Sequence, residues 1–312
     1  MKTGFVYSTE YLKHSTEVNH PECAGRLEAI LERLTKTGTL AKLEEITPKP
    51  VAEEWIATIH DKKYIESVKR YCETGIRLVD FDTQISKESF DVAKLAVGGV
   101  LKAIDKVQVG EIQNAFCAVR PPGHHAEADK IMGFCLFNNV AIGAKYLQQK
   151  YGLKKIAIVD FDVHHGNGTQ NSFYNDDSVL FISSHQVPLY PGSGMEFERG
   201  AGKGKGFTLN IPLKPESEDI HILEKYFNLV IPKLEEFKPE FILISAGFDA
   251  HILDPLSNLR VSTECFGKIT QMLKSVAEKC CEGKIVATLE GGYNLKALGE
   301  SVESHIKVLA NI

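Results

Sequence analysis

Asp160, Asp162 and His164 stand at alternate positions in residues 158–169, IVDFDVHHGNGT. The run before the turn, residues 156–161, is short, apolar and β-branched, which is the pattern of a buried strand. Side chains at i, i+2 and i+4 of an extended chain share one face. Two carboxylates and an imidazole therefore converge where the strand gives way to a turn containing Gly166 and Gly168. Such a mixture of oxygen and nitrogen donors suits a divalent cation, and zinc better than calcium or magnesium. The competing reading is an Asp- and His-rich turn that satisfies its own backbone.

Three other segments carry residues that fit the same chemistry. Asp249 follows the apolar run FILIS in SAGFDAH. It supplies a third ligand beside Asp162 and His164, leaving positions open for water and substrate. Read in isolation it is a helix cap. His251 is a ligand by composition, or equally a surface residue. His124 and His125, in RPPGHHA, are candidate proton handlers; adjacent histidines are otherwise common on surfaces. Each imidazole needs a partner to fix its tautomer, and Asp160 and Asn167 have no metal duty. A carboxylate raises imidazole basicity whereas a neutral amide mainly orients it, so the two histidines are not expected to be equivalent. Tyr293, in LEGGYN, either packs as a turn residue or donates its hydroxyl to a developing oxyanion.

The elements that must position these groups can be read from periodicity. Strands are expected at residues 5–8, 115–119, 156–161, 179–183, 207–211, 241–245 and 285–289. Helical patterns follow His20-Pro21-Glu22 and cover residues 53–59, 62–72, 89–107, 134–151, 218–236, 263–281 and 295–309. Within 89–107, the Gly98-Gly99 pair implies close packing against a neighbour. Residues 77–85 read as irregular surface chain, and the glycine-rich residues 198–206 as a mobile loop. Strands alternating with helices imply a parallel sheet covered on both faces, with ligands beyond the strands' carboxyl ends. Each suspicious motif follows such an end.

Composition limits the function classes. The 312 residues are 43% hydrophobic, enough for one large α/β domain or two ordinary ones, and without a repeat, low-complexity tract or linker one domain spanning residues 1–312 is the better count. A net charge of −5 leaves no electrostatic footprint for nucleic acid. No signal-like or membrane-spanning apolar run is present, and seven cysteines without a CxxC pair read as reduced thiols. A cytoplasmic protein is expected; oligomeric state is not legible.

RPPGHHA, DFDVHHGNGT, the PGSG loop, SAGFDAH and LEGGYN occur in the order seen in the histone deacetylase superfamily, which this chain resembles over residues 120–294. The HPE segment at His20 is similar to the family's N-terminal signature, and HHGNG resembles its class II branch. The resemblance implies the single-domain arginase/deacetylase fold with a central eight-stranded parallel sheet. It implies one catalytic zinc on Asp162, His164 and Asp249, with His125 as general base and acid. His124 would be an electrostatic partner held by Asp160, and Tyr293 the carbonyl polariser. Gly133-Phe134 and Tyr190 match the walls of an acyl-lysine tunnel, although the family usually has Phe where Tyr190 stands. Asp82 matches a rim residue that holds the substrate backbone. The family also carries K⁺ or Na⁺ sites, here near Asp160, Asp162, His164 and Ser183. Gly166 and His251 stand where the arginase branch needs acidic ligands, which argues against two metals.

Three functions compete: a protein-lysine deacylase, an acetylpolyamine amidohydrolase, and an inactive module that holds acyl-lysine. Class II relatives weak on acetyl-lysine carry His where this chain has Tyr293. Polyamine-selective relatives carry Glu where this chain has Leu256, in LDPLSN. An acyl-lysine protein or peptide is therefore the expected partner.

Overall fold

The computed structural model describes residues 2–312. Eight strands, β1 (Thr3–Val6), β2 (Glu44–Ile46), β3 (Asn114–Cys117), β4 (Ile156–Asp160), β5 (Val179–Gln186), β6 (Thr208–Leu213), β7 (Phe241–Ala246) and β8 (Ile285–Leu289), form one sheet in the order β2-β1-β3-β8-β7-β4-β5-β6. Every pairing is parallel. The inner strands IAIVD, FILISA and IVATL are buried at every position, as two covered faces require.

Among the described residues, ten α-helices accompany the sheet: α1 (Gly25–Lys36), α2 (Glu53–Ile56), α3 (Lys62–Thr74), α4 (Ser89–Gln108), α5 (Asn139–Tyr151), α6 (Asn167–Phe173), α7 (Asp219–Lys225), α8 (Ile231–Phe237), α9 (Thr263–Cys281) and α10 (Leu295–Ala310). Helices α1, α10 and α9 pack side by side, as do α4 and α5; α10 and α4 both reach β3, and α9 and α5 both reach β7. The sheet thus lies between two helical layers. The close packing expected at Gly98 is present: a Cβ there would sit 1.8 Å from the Lys49 carbonyl oxygen. No helix among the described residues is long and apolar enough to cross a membrane, and all seven cysteines are free.

The differences from the sequence reading have local causes. β2 has only three residues, one of them exposed, so neither periodicity nor an apolar run marks it. The helix expected over 134–151 starts at Asn139, because the Asn138 side chain accepts from the Ala141 N–H and Phe134 has φ +65°. The helix expected over 218–236 is divided by a π turn, Tyr226–Val230, just before Pro232. A proline lacks the N–H and crowds the preceding turn, which the wider π turn relieves. Residues 77–85 are an ordered hairpin in which Leu78 bridges Gln84 and the Val79 N–H donates to the Thr83 carbonyl.

Candidate active site

Sheet order brings the motifs together. β3, β8, β7 and β4 are neighbours. The segments leaving their carboxyl ends carry His124 and His125, Tyr293, Asp249, and Asp162 with His164, respectively, and Asp160 is the last residue of β4. Ligand atoms of Asp162, His164 and Asp249 all lie within 4.8 Å of one another. His164 Nδ1 is 3.0 Å from Asp162 Oδ1 and 3.1 Å from Asp249 Oδ2. Backbone donors orient both carboxylates: Gly291 N–H to Asp162 Oδ2 (2.8 Å) and Val163 N–H to Asp249 Oδ1 (2.9 Å). The approach leaves no room for a side chain at two positions. A Cβ on Gly247 would lie 2.0 Å from Asp162 Oδ2, and one on Gly291 2.0 Å from Asp249 Oδ2.

The donor set fits a metal ion. Asp162 and Asp249 are both fully buried, and neither is paired with Lys or Arg among the described residues. Burial opposes charge on His164, but the two carboxylates outweigh it and raise the imidazole to about 10. The site demands positive charge, which a divalent cation supplies while converting His164 to a neutral ligand. His251 lies outside the triangle: its Nε2 meets Thr263 Oγ1 at 3.2 Å and its Nδ1 accepts from the Leu253 N–H.

The two histidines have different partners. His124 Nδ1 is 2.9 Å from Asp160 Oδ2, and its ring centroid is 4.0 Å from that of His125. Burial lowers His124, but Asp160 and Asp162 overcome it and raise it to about 10. His125 Nδ1 instead lies 2.7 Å from Asn167 Oδ1. Burial, reinforced by His124 and His164, pushes His125 well below its ordinary value. Asn167 is itself oriented, since its Nδ2 donates to Glu127 Oε1. Ser183 pairs in register with Asp160 across β4 and β5, and its hydroxyl meets His185 Nδ1 at 2.9 Å.

Tyr293 is half-buried, with the Phe134 ring 5.9 Å away and the Arg26 guanidinium carbon 4.9 Å from its centroid. Burial dominates over Arg26, and Asp249 and Asp162 add to it, so the phenol stays protonated as a donor. Tyr190, 38% exposed, stands with its ring 5.1 Å from His125 and 6.3 Å from His164. Gly133 abuts the His125 ring. The hairpin bearing Asp82 is tied to this wall, because Phe134 N–H donates to Thr83 Oγ1 and His20 bridges the Asp82 carbonyl and the Phe134 ring edge. Leu256 is half-buried, and its N–H donates to the Asp254 carboxylate that also receives the Tyr293 N–H.

Sequence reasoning misses the supports. Glu22 is fully buried between Arg26 and Arg120, and His14 Nε2 lies 3.4 Å away. Burial pushes Glu22 up, but Arg120 and its other partners hold the carboxyl well below the usual range. Arg26 then donates to the Gly292 and Glu290 carbonyls. Glu22 thereby joins the RPPGHH and LEGGYN segments. Glu290 and Asp254 also grip active-site backbone, and burial raises each carboxyl to about 7. The signal for Glu22 is its place in HPE; a charged residue ending an apolar run marks Glu290.

The histone deacetylase domain profile matches residues 20–309. A probable deacetylase from Archaeoglobus fulgidus is 43% identical over 298 residues, covering 95% of this chain and 82% of its own. Chloroplastic histone deacetylase 14 from Arabidopsis thaliana is 37% identical, with 97% of this chain and 76% of that protein covered. Human histone deacetylase 9 is 39% identical over 98% of this chain, which spans only 34% of that protein. The crystal structure of the HDA15 HD domain superposes with a TM-score of 0.95 at 35% identity, covering 99% of this chain and 88% of that one.

Proposed function

This chain belongs to the histone deacetylase family, and from that premise we propose that it hydrolyses N-ε-acyl-lysine amides with one zinc ion held by Asp162, His164 and Asp249. The observation that carries the reading is the meeting of three kinds of group at four adjacent strand ends. These are the buried ligand triangle, an imidazole oriented by a neutral amide, and a protonated phenol.

Zinc, when bound, supplies Lewis acidity towards the acyl carbonyl and brings the pKa of bound water to about 7. The rest falls to the chain's own residues. His125 donates its Nδ1–H to Asn167 Oδ1, leaving Nε2 as the acceptor. Its depressed pKa keeps it neutral. It takes the attacking water's proton and returns it to the lysine nitrogen as the C–N bond breaks. His124, kept charged by Asp160, stabilises the negative charge that develops beside it. Tyr293 O–H donates to the acyl oxygen as that oxygen gains charge; removal of one such donor typically costs about 3–4 kcal/mol. Phe134 and Tyr190 wall the lysine stem, Gly133 admits it beside His125, and Asp82 accepts from substrate backbone. A K⁺ or Na⁺ ion beside Asp160 and Ser183 belongs to the same proposal, supported by their register across β4 and β5.

Burial raises the Tyr190 phenol first and the Asp82 carboxylate adds to it; that nearby negative charge would suit a cationic substrate and keeps acetylpolyamine hydrolysis as the second reading. Leu256 weighs against it, offering an apolar lip where a polyamine ammonium needs a carboxylate. The retained Tyr293 and full ligand set argue against an inactive acyl-lysine-binding module. The test assays zinc-loaded protein on acetyl-lysine peptides, longer acyl-lysine peptides and N8-acetylspermidine side by side. Higher kcat/KM on the peptides is expected, with a shift towards the polyamine in Leu256→Glu. Wild-type preference for the polyamine would promote the second reading.

A further inference from the structure

Glu290 is the first residue beyond β8 and has no exposed surface. Its carboxyl reaches across to the loop that follows β3, where Oε2 accepts from two consecutive backbone amides, Gly123 N–H at 2.7 Å and His124 N–H at 3.1 Å. Oε1 has no hydrogen-bond partner. Both of the carboxyl's hydrogen bonds therefore go to the backbone of the His124-His125 turn, with the His124 and Cys135 side chains close by. Elsewhere that turn is pressed against residues 137–139: a Cβ on Gly123 would lie 2.6 Å from Asn139 N and 2.7 Å from the Phe137 carbonyl oxygen. The turn is caught between a wall and a two-bond clamp.

The clamp itself cannot drift. Glu290 N–H donates to the Ala246 carbonyl on β7, and the Glu290 carbonyl accepts from the buried Arg26 guanidinium. The next residue, Gly291, donates to Asp162, and Tyr293 follows two residues later. One rigid segment thus connects the proton-handling turn to a ligand carboxylate and to the phenol. No other side chain among the hydrogen bonds of the described residues accepts from the Gly123 or His124 N–H.

On the reading of this chain as an acyl-lysine hydrolase, we infer that Glu290 is a positioning residue that fixes the His124-His125 turn by accepting the backbone amides of Gly123 and His124. Its function is acceptance at Oε2 rather than contact with substrate or proton transfer. A neutral side chain of the same length with one acceptor oxygen therefore meets the requirement. A shorter carboxylate does not reach both amides, and an apolar side chain leaves both donors buried without partners. Misplacing a catalytic group by about 1 Å is enough to lose on the order of a hundredfold in rate.

The test compares Glu290→Gln, Glu290→Asp and Glu290→Leu in the full-length zinc-loaded protein. Zinc content, KM and kcat are measured on the best acyl-lysine peptide, and the imidazole nitrogen resonances of His124 and His125 are followed by NMR. The expected order of kcat is Gln, then Asp, then Leu, with Gln keeping at least about a third of wild-type kcat. Leu should lose on the order of a hundredfold, at little-changed KM and zinc content. The histidine resonances should remain near wild type in Gln and move in Asp. A role for the charge reverses the first pair, with Asp active and Gln impaired, and overturns the inference; so does wild-type kcat in Leu. If Leu does not fold, the order of Gln and Asp still decides between the two roles. A wild-type protein silent on every acyl-lysine substrate counts against the hydrolase reading, and the NMR comparison then judges Glu290 alone.

Discussion

His125 Nδ1 lies 2.7 Å from the side-chain oxygen of Asn167, so the imidazole best placed to move protons is oriented by a neutral group, whereas its neighbour His124 is held by the Asp160 carboxylate. Glu127 fixes the direction of that amide by accepting from its nitrogen. The tautomer of His125 is therefore set by a chain of two residues beyond the ring, and burial keeps the ring uncharged.

Asn167→Asp tests this arrangement. An anionic partner favours imidazolium, so the pKa of His125 rises and the neutral base is lost at higher pH. The acidic limb of kcat/KM should move upward, with kcat at neutral pH falling by about tenfold or more and zinc content unchanged. A profile that superimposes on wild type would remove Asn167 from the account.

Glu22→Gln tests the buried hub. The substitution leaves Arg26 and Arg120, both without exposed surface, short of a counter-charge. Breaking such a pair typically costs about 3–5 kcal/mol. Denaturant unfolding should show a loss of that order, and a change under about 1 kcal/mol would mean that the hub contributes little to folding.

Much of this is legible in the chain. Asp162 and His164 are legible from their spacing in DFDVHH, although β4 ends at Asp160 and both stand in the bend beyond it rather than on the strand, and four motifs at strand ends announce one site. Unequal histidines can be argued from the two leftover partners, Asp160 and Asn167. What escapes is long-range or conformational. The contact of Glu22 with Arg120 spans 98 positions, and nothing local to either residue records it. Likewise, nothing local announces the left-handed backbone of Phe134, so an apolar pattern continuous with α5 reads as helix five residues too early. β2 lacks the length to give a pattern.

His305 provides a pH test remote from the site. It is fully buried against Phe116, Phe161 and Phe248, with Nδ1 2.7 Å from Thr270 Oγ1, and burial lowers it to about 3. Between the ordinary imidazole value and about 3, the unfolded chain binds a proton that the folded chain refuses. The associated stability is complete above the unfolded value and is lost as pH falls towards 3. In His305→Phe, the stability lost between pH 7 and 4.5 should shrink by roughly 2–3 kcal/mol relative to wild type. Equal losses in the two proteins would show that burial of His305 contributes nothing to the acid sensitivity.

The most direct measurement of the central claim is turnover of an acetyl-lysine peptide by chelator-stripped protein as zinc is added back. Activity should be negligible without metal and rise to a break at one zinc per chain. Asp249→Ala protein should bind little zinc and stay inactive throughout. Full turnover by the stripped wild-type protein, or wild-type zinc content and activity in Asp249→Ala, would contradict a metal hydrolase built on Asp162, His164 and Asp249.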